Sequence, residues 1–148
     1  MDAIDKLLAI EEIRKLKARY FRCMDTKDWA GLQSVFTDDV HADFREGTDP
    51  PFEGAVTDGA DPYIEMLAPI LTPIVTVHHG HMPEIEITSP TTAKGVWAME
   101  DKLWVVGDSV VPYKFLHGYG HYHETYRKEA DGWRIASVRL TRLRIDME

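Results

Sequence analysis

The stretch TPIVTVHHGHMPEIEIT, residues 72–88, decides the fold. It is rich in β-branched residues and alternates with a period of two, the pattern of a strand with one buried face. The same period continues through TAKGVWAMEDKLWVV (92–106), GHYHETYRK (120–128) and GWRIASVRLTRLRI (132–145). These segments predict mostly antiparallel strands. The last two are joined by a tight hairpin at Asp131-Gly132, a residue pair suited to such turns.

Upstream of residue 72 the period is helical. Ile13, Leu16, Tyr20 and Cys23 or Met24 fall on one stripe, with Lys and Arg on the other side, which predicts an amphipathic helix over residues 4–24. Asp28 can cap a second, short helix whose greasy face is Trp29, Leu32 and Phe36. Residues 43–60, rich in Gly, Pro and Asp and without a sustained period, read as a long loop of the kind that often covers a pocket. Asp61 as N-cap and Pro62 at the first helical position start a third helix, which Pro69 should end or kink. Helices first and an antiparallel sheet afterwards give an α+β class. The sheet, residues 72–145, bends around the long helix and leaves a pocket at one end.

Composition narrows the functional classes. With 148 residues, 44% of them hydrophobic, the chain supports one core, so residues 1–148 form a single domain. No run approaches the roughly 20 apolar residues of a membrane span, and MDAIDKLLAIEE carries acids where a secretory leader carries bases. The single cysteine, Cys23, leaves no intramolecular disulfide to form, and the expected compartment is the cytoplasm. A formal charge of -8 argues against nucleic acid and anionic membrane as partners. The only basic cluster, RLTRLR, alternates with apolar residues.

Six of the seven histidines fall between residues 78 and 123, so a metal site has to be weighed. Strand parity divides them: His78 shares a side with Thr76 and Ile74, whereas His79 goes with Val77 and Val75. No Cys pair or HExxH motif accompanies them, and the expectation is no metal. No serine sits in a nucleophile-elbow context, Cys23 lies in a helix without an evident base, and no Gly-rich strand-to-helix turn offers a nucleotide site. The next strand puts Gly95, Trp97, Met99 and Asp101 on one face, so an acid closes an apolar row. A carboxylate beside an imidazole fixes its tautomer and raises its basicity from a free pKa of about 6.5. His78 with Asp101 is the expected proton-transfer pair. Tyr20 shares the core stripe of the first helix. Asp25, roughly 140° further around an ideal helix, shares its cavity only if the helix ends or bends near Met24.

IRKLKARYFRCMD, TVHHGHMPEIEI, TAKGVWAMED and the final DGWRIASVRLTRLR together resemble the SnoaL-like branch of the NTF2-like superfamily, cone-shaped α+β barrels that include scytalone dehydratase and ketosteroid isomerase. Within it the blocks YFRCMD and HHGHMPEI are most similar to the bile acid 7α-dehydratases. The resemblance implies catalytic roles for Tyr20, Asp25, His78 and Asp101, and a substrate-binding arginine at Arg142. Trp97 and Met99, on the face that Asp101 closes, join it as expected substrate-binding residues. Phe44 stands where those enzymes carry a pocket tyrosine, so one hydroxyl is missing. The resemblance further implies no cofactor and a homo-oligomer, trimer or dimer.

Two classes of function follow. One is a cofactor-independent dehydratase-like lyase or isomerase acting on a small hydrophobic, steroid-like or polycyclic carbonyl compound. The other is a non-catalytic module that binds ligands, assembles complexes or serves as the small subunit of a ring-hydroxylating oxygenase. They separate on whether His78, Asp101 and Tyr20 converge on one cavity.

Overall fold

The computed structural model describes all 148 residues. Three helices, α1 (Ala3–Thr26), α2 (Trp29–Gln33) and α3 (Ala60–Leu71), pack on one sheet of six strands. The strands are β1 (Phe36–Asp43), β2 (Val56–Asp58), β3 (Ile74–Ser89), β4 (Thr92–Val105), β5 (Phe115–Glu129) and β6 (Gly132–Met147). They lie in the order β2-β1-β6-β5-β4-β3, and every neighbouring pair is antiparallel except β1 with β6. The architecture is the expected α+β sheet with its helices on one side. No helix is long and apolar enough to cross a membrane.

Helix α1 starts where Asp2 and Asp5 form a reciprocal capping box, each side chain accepting from the other's backbone N–H. Its inner stripe buries Ala9, Ile13, Leu16, Tyr20, Cys23 and Met24 against the sheet. It ends at Lys27 in the left-handed region (φ 60, ψ 30), whose N–H closes onto the carbonyls of Cys23 and Met24. Irregular pairings between Gly80 and Pro83 in β3, and near Gly120 and Tyr126 in β5, bend the sheet around this helix.

Four boundaries differ from the sequence reading. Phe36 opens β1 instead of closing the face of α2, because parallel pairing with β6 captures the chain there: Ile135 donates its N–H to Val35 O at 2.8 Å, and Phe36 pairs with Ile135. The segment 43–60 is not irregular throughout. It holds a single 3₁₀ turn at Arg45–Gly47 and the short strand β2, which adds an edge to the sheet beyond residues 72–145. Helix α3 is capped by Gly59 (φ 103), with Asp61 inside its first turn. It runs two residues beyond Pro69, since the ring removes one hydrogen bond and Thr72 re-closes the end onto Ala68 O. The β5–β6 hairpin has Ala130-Asp131 at its tip, with Gly132 (φ 129) already paired to Glu129.

Candidate active site

A cavity of about 550 Å³ opens between the inner face of the sheet, the end of α1 and the apolar face of α3. Tyr63, Met66, Leu67 and Ile70 supply the α3 wall at helical spacing. Phe44, Gly47, Thr48, Pro50, Pro51, Phe52 and Ala55 form one lip, and Val110, Val111, Pro112 and Tyr113 the other. Polar groups gather at the inner end: Tyr20, Tyr122, His78, Asp101 and Arg142.

His78 stands on the inner face of β3, directly opposite Asp101 of β4 in the register. Its side chain is only 8% exposed. Its Nδ1 lies 2.6 Å from Asp25 Oδ1, and its backbone N–H donates to Asp25 Oδ2 at 2.9 Å. Thr76 Oγ1 donates to Asp25 Oδ1 at 2.9 Å and accepts from Lys27 Nζ at 2.9 Å. Asp25 is therefore an acceptor toward every partner, which assigns a proton to Nδ1 and, in the neutral imidazole, leaves the Nε2 lone pair free on the cavity side. Burial alone would raise the Asp25 carboxyl. The hydrogen bonds and charge of His78, with Thr76, outweigh it and hold the carboxyl below the usual range. An acid in the last turn of a helix opposes the helix dipole, and here the strand residues repay that cost.

The expected pairing of His78 with Asp101 needs correction. His78 Nε2 is 3.9 Å from Asp101 Oδ2, beyond a hydrogen bond. Both carboxylate oxygens of Asp101 belong to Arg142, whose Nη1 donates to Oδ1 at 2.7 Å and Nη2 to Oδ2 at 3.0 Å. Such a two-pronged pair is the strong geometry for guanidinium and carboxylate. Arg142 also donates to Gly47 O from Nη2 at 3.1 Å and Nε at 3.3 Å, tying one lip of the cavity to its inner end. Gly118, paired with Asp101 across β5, leaves the space this ion pair fills: a Cβ there would collide with Arg142 Nη1 and Asp101 Oδ1. Asp25 itself sits behind the imidazole rather than in the cavity wall.

Two expected substrate contacts also move. Trp97 and Met99 do not line the cavity. The inner face at Trp97 is filled, since its Nε1 donates to Tyr126 Oη at 2.9 Å and Phe21 of α1 packs close by over Gly80. Met99 rests its sulfur 3.5 Å from Arg142 Nη1. The cavity opens one pair further along β4, at Asp101 and Leu103. Phe44 does line it, stacked on Tyr63 with ring centroids 5.6 Å apart.

Three tyrosines that the sequence reading did not single out, Tyr63, Tyr113 and Tyr122, complete the site. The Tyr63 hydroxyl is buried with no hydrogen-bond partner in the protein. Burial pushes the phenols of Tyr20, Tyr63 and Tyr122 upward, and so keeps them protonated as donors. Tyr113 is pushed up to about 12 by burial and by Asp101. The outer-face histidines are elsewhere: His79 is 62% exposed beside Glu100, and His117 also meets Glu100, at 3.4 Å. No three His, Cys, Asp or Glu side chains are disposed to hold a metal ion.

Residues 5–139 match the SnoaL-like domain family. A candidate scytalone dehydratase from Novosphingobium aromaticivorans superposes with a TM-score of 0.83 at 18% identity, covering 99% of this chain and 92% of that one. A type 2 hexachlorocyclohexane dehydrochlorinase, LinA, gives 0.81 at 16% identity, covering 99% and 93%. A protein of unknown function from Mycobacterium tuberculosis gives 0.76 at 25% identity, covering 97% and 78%. These likenesses support the fold, one that lyase-type enzymes share. They do not single out the bile acid dehydratases.

Proposed function

The chain belongs to the SnoaL-like family, and from that premise we propose that its cavity catalyses a cofactor-independent elimination on a small, uncharged, hydrophobic carbonyl compound. The observation that carries the proposal is the 2.6 Å hydrogen bond from His78 Nδ1 to Asp25, which leaves Nε2 as a positioned base at the cavity's polar end. The named relatives lend support, since a dehydratase removes water and a dehydrochlorinase removes hydrogen chloride. Both reactions begin or proceed by loss of a carbon-bound proton.

In the proposed sequence His78 Nε2 takes a proton from the carbon next to the carbonyl. The C–H electron pair becomes the C=C bond of an enolate, and negative charge collects on oxygen. The protonated phenols of Tyr20, Tyr63 and Tyr122 are the donors at that end of the cavity, where all three side chains are buried and such bonds are worth most. The enolate then expels hydroxide from the β carbon, and the imidazolium returns its proton to the departing oxygen. Water and an unsaturated carbonyl compound leave, and His78 is neutral again. While charged, the imidazolium has Asp25 on Nδ1 and Asp101 3.9 Å from Nε2.

Charge balance supports an uncharged substrate. Arg142 is already paired with Asp101, so it has no spare capacity for a substrate carboxylate. The walls are otherwise apolar over a volume suited to a two- or three-ring molecule. The test is proton exchange in D₂O: a bicyclic ketone incubated with the protein should exchange its α-hydrogen, and His78→Ala should abolish the acceleration.

A further inference from the structure

Lys17 was expected on the solvated side of α1, yet it is wholly buried, and nothing in the chemistry above uses it. Its Nζ lies 2.7 Å from Glu124 Oε2, with both side chains fully shielded from solvent. The same ammonium stands 3.7 Å from the centroid of the Tyr20 ring and 3.6 Å from that of Tyr122. Glu124 Oε1 accepts from Tyr126 Oη at 2.7 Å, and that hydroxyl accepts from Trp97 Nε1 at 2.9 Å. A cation thus sits against the rings of two phenols that both line the cavity.

A buried ion pair is a poor device for stability, because apolar side chains of similar volume often serve as well. The placement suggests another use. Glu124 alone would disfavour negative charge near these phenols, and it adds to burial, the larger cause, in pushing the Tyr20 hydroxyl upward. Lys17 sits against both ring faces, where a cation draws on the π-electrons and makes the hydroxyl a stronger hydrogen-bond donor. Burial lowers the ammonium to about 8, with Glu124 opposing, so it keeps its charge at neutral pH.

We infer that Lys17 is a positioning residue that strengthens Tyr20 and Tyr122 as donors to the substrate oxyanion, acting through their rings and held in place by Glu124. The inference rests on the proposed enolate chemistry and extends it to a residue that touches no substrate.

Substituted 2-naphthols of graded acidity test it, because they mimic a bicyclic enol and their fluorescence distinguishes the bound neutral form from the bound anion. The quantity read is the ratio of affinities for anion and neutral probe. Lys17→Met combined with Glu124→Gln removes both charges and should lower that ratio by about 3- to 30-fold. Lys17→Gln, which can still donate to Glu124 but leaves that carboxylate uncompensated, should lower it further, and either variant suffices if the other does not fold. A purely structural lysine would weaken both forms alike, leaving the ratio unchanged, and that result overturns the inference while leaving the pocket assignment intact. If the native protein binds no naphthol at all, the pocket assignment itself fails, and this inference with it.

Discussion

Asp25 and His78 are joined twice, by Nδ1 to Oδ1 at 2.6 Å and by the His78 backbone N–H to Oδ2 at 2.9 Å. The double attachment holds the imidazole in one tautomer and one orientation. Asp25→Asn keeps the shape but can no longer accept from all of its partners. Under the proposed mechanism it should lower the exchange rate about 10²- to 10⁴-fold, the range for a mis-set base. Asp101→Asn should cost less through His78 and more through Arg142, whose partner it removes. An Asp25→Asn protein with native rates would mean that the imidazole is oriented by something else.

The same carboxylate should mark the acid limb of stability. The folded protein holds Asp25 below the usual carboxylate range and the unfolded chain does not, so the unfolded chain takes up the proton first as pH falls. Its contribution is therefore complete above about pH 4 and is lost as pH falls through the native value. Denaturant midpoints measured from pH 7 to pH 3 should show the native protein more stable than Asp25→Asn at neutrality, with the gap closing in acid. A gap that stays constant with pH would contradict the assignment.

Tyr63 offers a separation of stability from binding. Its hydroxyl is buried without a partner in the protein, a state that costs about 1–3 kcal/mol. Tyr63→Phe should therefore leave the fold unchanged or more stable, while weakening ligands that present an oxygen to the polar end. Loss of stability on removing the hydroxyl would show that it already has a partner.

Gly118→Ala probes the ion pair from behind. The added methyl would collide with Arg142 Nη1 and Asp101 Oδ1, so the ion pair must shift to admit it. Calorimetry should find a destabilisation of about 1–3 kcal/mol, the usual cost of overpacking, together with weaker ligand binding. Native stability would mean that the pair is more mobile than its geometry implies.

How far the site could be read from sequence depended on the range of the interaction. Parity along β3 and β4 placed His78 and Asp101 on the inner face, and the register does set them opposite each other. Parity cannot tell which inward groups bond, so Asp101 was assigned to the histidine although Arg142, 41 residues away, holds both its oxygens. Helical angle put Asp25 away from Tyr20, and it does lie outside the cavity wall. What the angle could not show is that the end of α1 lies against β3, where Thr76 and His78 bond Asp25. Lys17 was readable in principle, four residues from Ile13 and three from Tyr20 on the buried stripe, but its charge outweighed its position. Glu124 gave the matching signal, sharing its strand face with Tyr122 and Tyr126. Strand β1 left no such trace because its burial does not alternate along its length, and the edge strand β2, three residues long, carries too little period to detect.

The central claim is that His78 Nε2 is a base for carbon-bound protons, and α-hydrogen exchange measures this directly. A bicyclic ketone such as 2-tetralone, held in D₂O with the native protein, should exchange its α-hydrogens faster than in buffer, as followed by NMR. His78→Ala should lower that rate about 10²- to 10⁴-fold. His79→Ala, whose side chain leaves the opposite face and is 62% exposed, should exchange within about two-fold of the native rate. Equal acceleration by the native protein and by His78→Ala would contradict the claim, and so would no acceleration by a native protein that binds the ketone.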